Sequence, residues 1–356
     1  MPIEALEVIP YSLPFRVPYV TARGRLTERE LLLVRLRADG IEGLGETTAL
    51  SLRGGKTLAE VSRELTDLCR PALTGTELEP ERTWAALARC RNRGAGPEAL
   101  AAVDIALHDL AGKALGRPVW RLLGASVTHP VTCNATLPIA NPSGLRKLLE
   151  PWFEDGFRTF KLKVGTPGDV AQVAMARQSL GADARIRLDA NGAWTVDGAA
   201  TQLRNLAHHT IELVEEPVSG LEKLARLATR TRIRLSADES VATPREARAA
   251  VELGACQLAT VKLAKVGGIV AALEMKEEIS IYLSSALEGP VGIAAAAHLA
   301  QMLPGGGPAH GLATERLFST TVGSGVQLRG DQLLVGEEPG LGVTLDEETL
   351  ASRRLD

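Results

Sequence analysis

The sequence predicts an α/β protein whose larger part is a parallel barrel. Eight short β-rich runs, at residues 131–135, 159–163, 186–189, 211–215, 235–237, 258–262, 281–285 and 309–313, alternate with helical stretches such as 170–180 and 244–253. Acidic and basic side chains recur where these runs end. The segment before them has another texture, strands followed by helices, as in an α+β layer.

At 356 residues the chain is long enough for one large barrel with an added region. Residues 4–14 and 31–38 read as strands, with Leu31-Leu32-Leu33-Val34 as a buried run. Residues 19–24 form a polar loop candidate, and 51–56 a second loop around Gly54-Gly55. Residues 58–71 and 80–92 carry helical patterns. An alanine-rich helix runs from about Pro97 to Leu115 and stops at Gly116-Arg117-Pro118. The turn-rich Pro339-Gly340-Leu341-Gly342 tail is expected to return to the N-terminal region.

A formal net charge of −3 makes no electrostatic case for nucleic acid or an acidic membrane surface. Aromatics at 3% also argue against base-stacking platforms. Cys69, Cys90, Cys133 and Cys256 form no CxxC pair, and are expected to be reduced, buried thiols. Met1-Pro2-Ile3-Glu4 does not open a signal peptide, and no apolar run is long enough to span a bilayer. A cytoplasmic enzyme is the expectation. No interface signature is visible, so a homo-oligomer is left open. The six histidines are scattered and read as surface or packing residues.

The chemistry lies at the strand ends. Lys161-Leu162-Lys163 closes the second predicted strand, Asp189-Ala190-Asn191 the third, Glu215-Glu216-Pro217 the fourth and Asp238-Glu239-Ser240 the fifth; Lys265 follows the sixth. Lys163, Asp189, Glu215, Asp238 and Lys265 recur at intervals of roughly 25 residues, about one strand-helix unit, which puts five groups on the C-terminal face where barrel active sites lie. Three carboxylates at one mouth repel each other unless a cation binds them. Oxygen donors without His or Cys suit a hard ion, Mg²⁺ or in its place Mn²⁺. Lys161 and Lys163 alternate on one strand and point the same way. Two ammonium groups beside a divalent cation lower a lysine's pKa towards that of a useful base. The ion would hold a substrate carboxylate and stabilise the enediolate formed on deprotonation. A lone KxK is usually a solvated strand edge, and a lone strand-end acid a helix cap; the ordered set at barrel spacing carries the signal.

At these residues the sequence resembles the enolase superfamily, in its muconate lactonizing enzyme subgroup. The resemblance spans nearly the whole chain: residues 104–113, Lys161-Leu162-Lys163, Asp189-Ala190-Asn191-Gly192, Glu215-Glu216-Pro217, Ala237-Asp238-Glu239-Ser240 and residues 262–268. It implies a (β/α)7β modified TIM barrel over residues 126–325, and an α+β capping domain over 1–125 to which the tail, 326–356, returns. It implies Asp189, Glu215 and Asp238 as metal ligands, Lys163 as principal acid/base assisted by Lys161, and Lys265 opposite as a second base or only a stabilising cation. It makes Asn191 a support for the site, with Glu239, Ser285 and Glu288 beside it. It gives substrate choice to the loops at 19–24 and 51–56; within them Arg23 and Arg53 are candidate contacts for a small-molecule carboxylate, with solvated loop charges as the plainer reading. A Lys or His base acting beside Mg²⁺ is general to that superfamily.

Residues 284–293 and 311–314 look like those of o-succinylbenzoate synthases. The expected reaction is syn-dehydration of 2-succinyl-6-hydroxy-2,4-cyclohexadiene-1-carboxylate in menaquinone biosynthesis, with N-succinylamino acid racemase, dipeptide epimerase and muconate cycloisomerase as alternatives in the same subgroup, and a non-catalytic barrel as a remote one. The Asp-x-Asp that holds a dipeptide ammonium in epimerases is replaced by His310-Gly311-Leu312-Ala313-Thr314-Glu315. An ammonium buried there without a partner would be costly, which disfavours a dipeptide substrate.

Overall fold

The computed structural model describes residues 1–21, 24–50 and 54–355. Three antiparallel strands open the chain: β1 (Ile3–Thr21), β2 (Gly24–Ala38) and β3 (Ile41–Thr48), hydrogen-bonded in that order. Along the Leu31–Val34 run successive side chains face opposite ways. Leu31 and Leu33 join the barrel's core, whereas Leu32, Val34 and Leu36 join a second core under the N-terminal helices. The run is therefore buried on both faces.

β3, which carries Gly43 and Gly45, does not appear among the sequence expectations. Their role is close packing. A Cβ on Gly45 would sit 1.9 Å from the Ala102 carbonyl, and one on Gly43 2.3 Å from that of Ala106. Both carbonyls belong to the alanine-rich helix Pro97–Ala114. Small residues on both partners let strand and helix approach backbone to backbone. The expected helix at 58–71 runs on to Leu73 and contains a π turn at Glu64–Cys69; that at 80–92 begins as a 3₁₀ turn before Thr83–Asn92.

The barrel strands are β5 (Ala135–Leu137), β6 (Thr159–Lys163), β7 (Arg185–Asp189), β8 (Ile211–Glu215), β9 (Arg234–Ala237), β10 (Leu258–Val261) and β11 (Ile281–Leu283), parallel and adjacent in chain order. Two expectations shift. Of 131–135, only Ala135 lies in a barrel strand; β4 (Val131–Thr132) pairs antiparallel with the tail strand Gln332–Leu334. The expected eighth strand, 309–313, makes only two parallel bridges, His310 to Cys133 and Gly311 to Ser284, which join β11 back towards β5. Gly311 approaches so closely that a Cβ would lie 2.6 Å from Ser284 Oγ.

The helix Pro97–Ala114 locks the N-terminal layer to the barrel. Asp104 accepts from Val270 N at 3.0 Å, capping the helix Ile269–Glu278. Asp109 accepts from Leu44 N and Leu341 N, each at 2.7 Å, and pairs with Lys113. The 104–113 motif is thus a docking device. In the tail, Leu355 N reaches Pro10 O at 2.9 Å, and Arg35 pairs with Glu347 at 2.6 Å. All four cysteines are buried and free. No described helix is long and apolar enough to cross a membrane.

Glu46, on β3, makes a further joint. It accepts from Gly292 N at 2.7 Å at the start of the helix Pro290–Ala300, and from the Tyr11 hydroxyl. Burial pushes its carboxyl up to about 8 despite those two donors. The unfolded chain releases this proton near the ordinary value of about 4.3, while the folded chain keeps it. Stability is therefore expected to fall as pH rises from about 5 to about 8. Urea unfolding across that range, in the natural chain and in Glu46→Gln, checks this: the slope should flatten in the variant.

Candidate active site

Asp189 and Glu215 are the last residues of β7 and β8, and Asp238 directly follows β9. All three are fully buried. Lysines lie between them. Lys161 Nζ is 2.9 Å from Asp189 Oδ2 and 2.6 Å from Glu215 Oε2. Lys163 Nζ is 2.6 Å from Asp189 Oδ2 and donates to Asn191 Oδ1 at 2.9 Å. Lys262 Nζ pairs with Asp238 Oδ2 and stands 3.9 Å from Glu215 Oε1.

The ammonium groups relieve the repulsion that the sequence assigned to a cation, and among the described residues no three acidic or histidine side chains are grouped to share an ion as they stand. The donor set nevertheless fits a hard divalent ion. It consists of carboxylate oxygens from three adjacent strands, and Glu215 Oε1 is buried without a hydrogen-bond partner.

The charges move the titrating groups accordingly. Burial opposes both charged forms, but Lys161, Lys163 and Lys262 hold the Asp189 carboxyl well below its ordinary range. Burial pushes Lys161 down, yet Asp189 and Glu215 outweigh it and raise it well above its ordinary value. The expected lowering assumed a cation beside the lysine; here two carboxylates face it.

Lys265 differs from its expected placement. It is buried, donating to the carbonyls of Val241 at 2.9 Å and Thr260 at 2.8 Å, to the Asp238 carbonyl, and to Asp238 Oδ1 at 2.9 Å. Those acceptors turn it away from the cavity and make it a brace for the Asp238 loop. Lys262 lines the cavity instead, with Lys161 and Lys163. Its signal was present in the sequence: Lys262 ends the predicted strand 258–262, whereas Lys265 lies one helical turn further, in Leu263–Val266.

Support comes from the loops. Asn191, at φ +46°, donates from its side chain to Glu239 Oε1 at 3.0 Å and so links Lys163 to Glu239. Glu216, at φ +40°, accepts from Asp238 N at 2.7 Å, which fixes the loop after β9. Ser285 lines the cavity and bonds Thr314 Oγ1 at 2.5 Å; Glu288 is buried behind it, accepting from Ala286 N at 2.5 Å. Arg23 and Arg53 lie outside the described residues. Arg29 escaped sequence reasoning because it sits in a charged strand, Glu28-Arg29-Glu30. It lines the cavity and bridges cap and barrel by donating to Ala49 O at 3.0 Å and Ala286 O at 2.8 Å. Among the described lining residues four are cationic (Arg29, Lys161, Lys163 and Lys262) and none is acidic. The buried His298 and His310 accept backbone N–H groups of Trp120 and Leu283, away from this cavity.

Residues 4–124 match the N-terminal domain of the mandelate racemase / muconate lactonizing enzyme family, and residues 144–349 the enolase C-terminal domain-like family. The chain belongs to the enolase superfamily of enzymes, in its muconate lactonizing enzyme subgroup. It is similar to the N-succinyl-L-Arg/Lys racemase of Bacillus cereus, 29% identical over 98% of this chain and 97% of that one. The crystal structure of that racemase superposes with a TM-score of 0.94, covering 100% of this chain and 99% of the other. The hydrophobic dipeptide epimerase of Enterococcus faecalis is 32% identical over 97% of this chain and 100% of its own. An Enterococcus faecalis dipeptide epimerase structure, complexed with Mg and L-Leu-L-Tyr, gives a TM-score of 0.90 at 30% identity, covering 97% of this chain and 100% of that one. The o-succinylbenzoate synthase of Thermobifida fusca is 34% identical over 65% of this chain and 73% of its own.

Proposed function

We propose that this protein racemises N-acylated amino acids whose acyl group ends in a second carboxylate, of the N-succinyl type, by proton transfer at the α-carbon. The observation that carries this reading is that Lys163 and Lys262 line one cavity. Lys163 ends the second strand of an eight-position barrel and Lys262 directly follows the sixth, so the two face each other across its mouth. A base on each face is what racemisation requires. Lys163 removes the proton from one enantiomer, and Lys262 delivers one to the opposite face; the roles reverse for the other enantiomer. Asn191 and Glu239 hold Lys163 in line.

Asp189, Glu215 and Asp238 would hold a divalent cation, Mg²⁺ as in the epimerase complex. When bound, the ion supplies the positive charge that binds the substrate carboxylate and stabilises the anion formed on deprotonation. A lining without acidic side chains offers no partner to a substrate ammonium, which favours an acylated nitrogen. Arg29, a cation of the lining that donates to the Ala49 and Ala286 carbonyls, suits the distal carboxylate of a dianion.

Arg29→Met is accordingly expected to lower the preference for N-succinyl over N-acetyl substrates, read as the ratio of kcat/KM values, by about 10-fold or more, since a charge-assisted hydrogen bond contributes about 1.5–3 kcal/mol. Arg29→Lys should recover part of the preference. Equal ratios in all three proteins would remove Arg29 from recognition.

Dehydration to o-succinylbenzoate is a second reading, favoured by the Thermobifida fusca relative and by residues 284–293. It needs only one of the two lysines. Assaying N-succinylamino acids beside the cyclohexadiene substrate, each with Mg²⁺, separates the two. Dehydration without racemisation would replace the first reading with the second.

A further inference from the structure

Below the carboxylates, the barrel interior holds a polar column that the reaction above does not use. Ser236 on β9, Thr260 on β10 and Tyr282 on β11 are all fully buried. Ser236 Oγ and Thr260 Oγ1 are 3.0 Å apart, Thr260 Oγ1 donates to the Tyr282 hydroxyl at 2.9 Å, and that hydroxyl donates to Glu215 Oε2 at 2.5 Å. The Arg187 guanidinium lies over the Tyr282 ring, 5.2 Å from its centroid, and is anchored to Glu212 at 2.5 Å. The ring packs with Leu213 and Leu258. Tyr282 does not line the cavity.

Glu215 is thereby held asymmetrically. Its Oε2 accepts from Tyr282 at 2.5 Å and from Lys161 at 2.6 Å, while Oε1 has no hydrogen-bond partner. We propose that Tyr282 is a positioning residue for the cation site: its phenol, held by Thr260, fixes the Glu215 carboxylate by one oxygen and presents Oε1 to the ion. This rests on the reading that Glu215 is a cation ligand. Outer hydrogen bonds of this kind orient ligating carboxylates, and losing one typically costs 10–100-fold in metal affinity. The column also directs its last donor at the carboxylate, so each bond polarises the next.

The test is Mg²⁺ binding to the intact protein, followed by titration calorimetry, with urea unfolding in chelator as a separate measure of folding. Tyr282→Phe keeps the ring and its packing. It is expected to raise the Mg²⁺ Kd about 10-fold or more. Thr260→Val, which keeps the phenol but removes its donor, should raise it by a smaller factor. Unchanged Kd in Tyr282→Phe overturns the proposal and makes Tyr282 a packing residue, while leaving the cation reading intact. Should Tyr282→Phe not fold, Thr260→Val decides alone: a raised Kd supports the proposal and an unchanged one overturns it. No Mg²⁺ binding by the natural chain overturns the proposal together with the cation reading.

Discussion

Replacing Lys163 with alanine is expected to abolish racemisation and to remove α-proton exchange with solvent for one enantiomer of an N-succinylamino acid, while the other enantiomer still exchanges. Lys262→Ala should do the reverse. Each base contributes about 10²–10⁴-fold, so racemisation, which needs both, should fall by at least that factor in either variant. The asymmetry follows from placement: the two ammonium groups reach the cavity from opposite strands, one held by Asp189 and Asn191, the other by Asp238. Lys265→Met is the contrast. Its ammonium is spent on three carbonyls and Asp238, so its loss should lower exchange from both enantiomers alike by loosening the Asp238 loop. Proton NMR in deuterated buffer, run on each enantiomer separately, reads all three variants. Loss of exchange from both enantiomers in Lys163→Ala alone would mean a single base.

The second large effect is expected at Asp189. Asp189→Asn keeps the volume and removes the charge that Lys161 and Lys163 share. Removing one partner of a buried ion pair typically costs about 3–5 kcal/mol, because the other charge is left uncompensated. The same variant loses one of three candidate cation ligands, so turnover should fall beyond detection and Mg²⁺ should no longer raise the unfolding midpoint. Urea unfolding with and without Mg²⁺ measures both. The Asp189 carboxyl is held below its ordinary value, so its contribution is full above the unfolded value of about 3.9 and is lost as pH falls towards the lower folded value. Unchanged stability in the variant would mean that the lysines do not depend on this carboxylate.

The barrel was legible because its strands are short apolar runs at regular spacing, and five successive ones end in, or are directly followed by, a charged residue. β6 and β8 fall at their expected residues. β3 was hidden because Gly43 and Gly45 serve a close helix contact, which local pattern cannot express. The last barrel segment was overread: the sequence is β-like, but Gly311 and the loop before it allow only two bridges. At the site, spacing picked out Lys265 where the strand-end rule pointed to Lys262. A count of residues does not say which of two lysines three apart faces inward. Arg29 and Tyr282 left no signal, because what they do depends on partners far along the chain: Ala286 for Arg29 and Glu215 for Tyr282.

In the proposed racemase, one cavity holds two opposed bases acting at the α-carbon of an acylated amino acid. The decisive measurement is incubation of the natural chain with Mg²⁺ and each pure enantiomer of an N-succinylamino acid in deuterated buffer. Both enantiomers are expected to incorporate a single deuterium at the α-carbon and to converge on the racemate. Retention of the α-proton in both enantiomers would contradict the racemase reading.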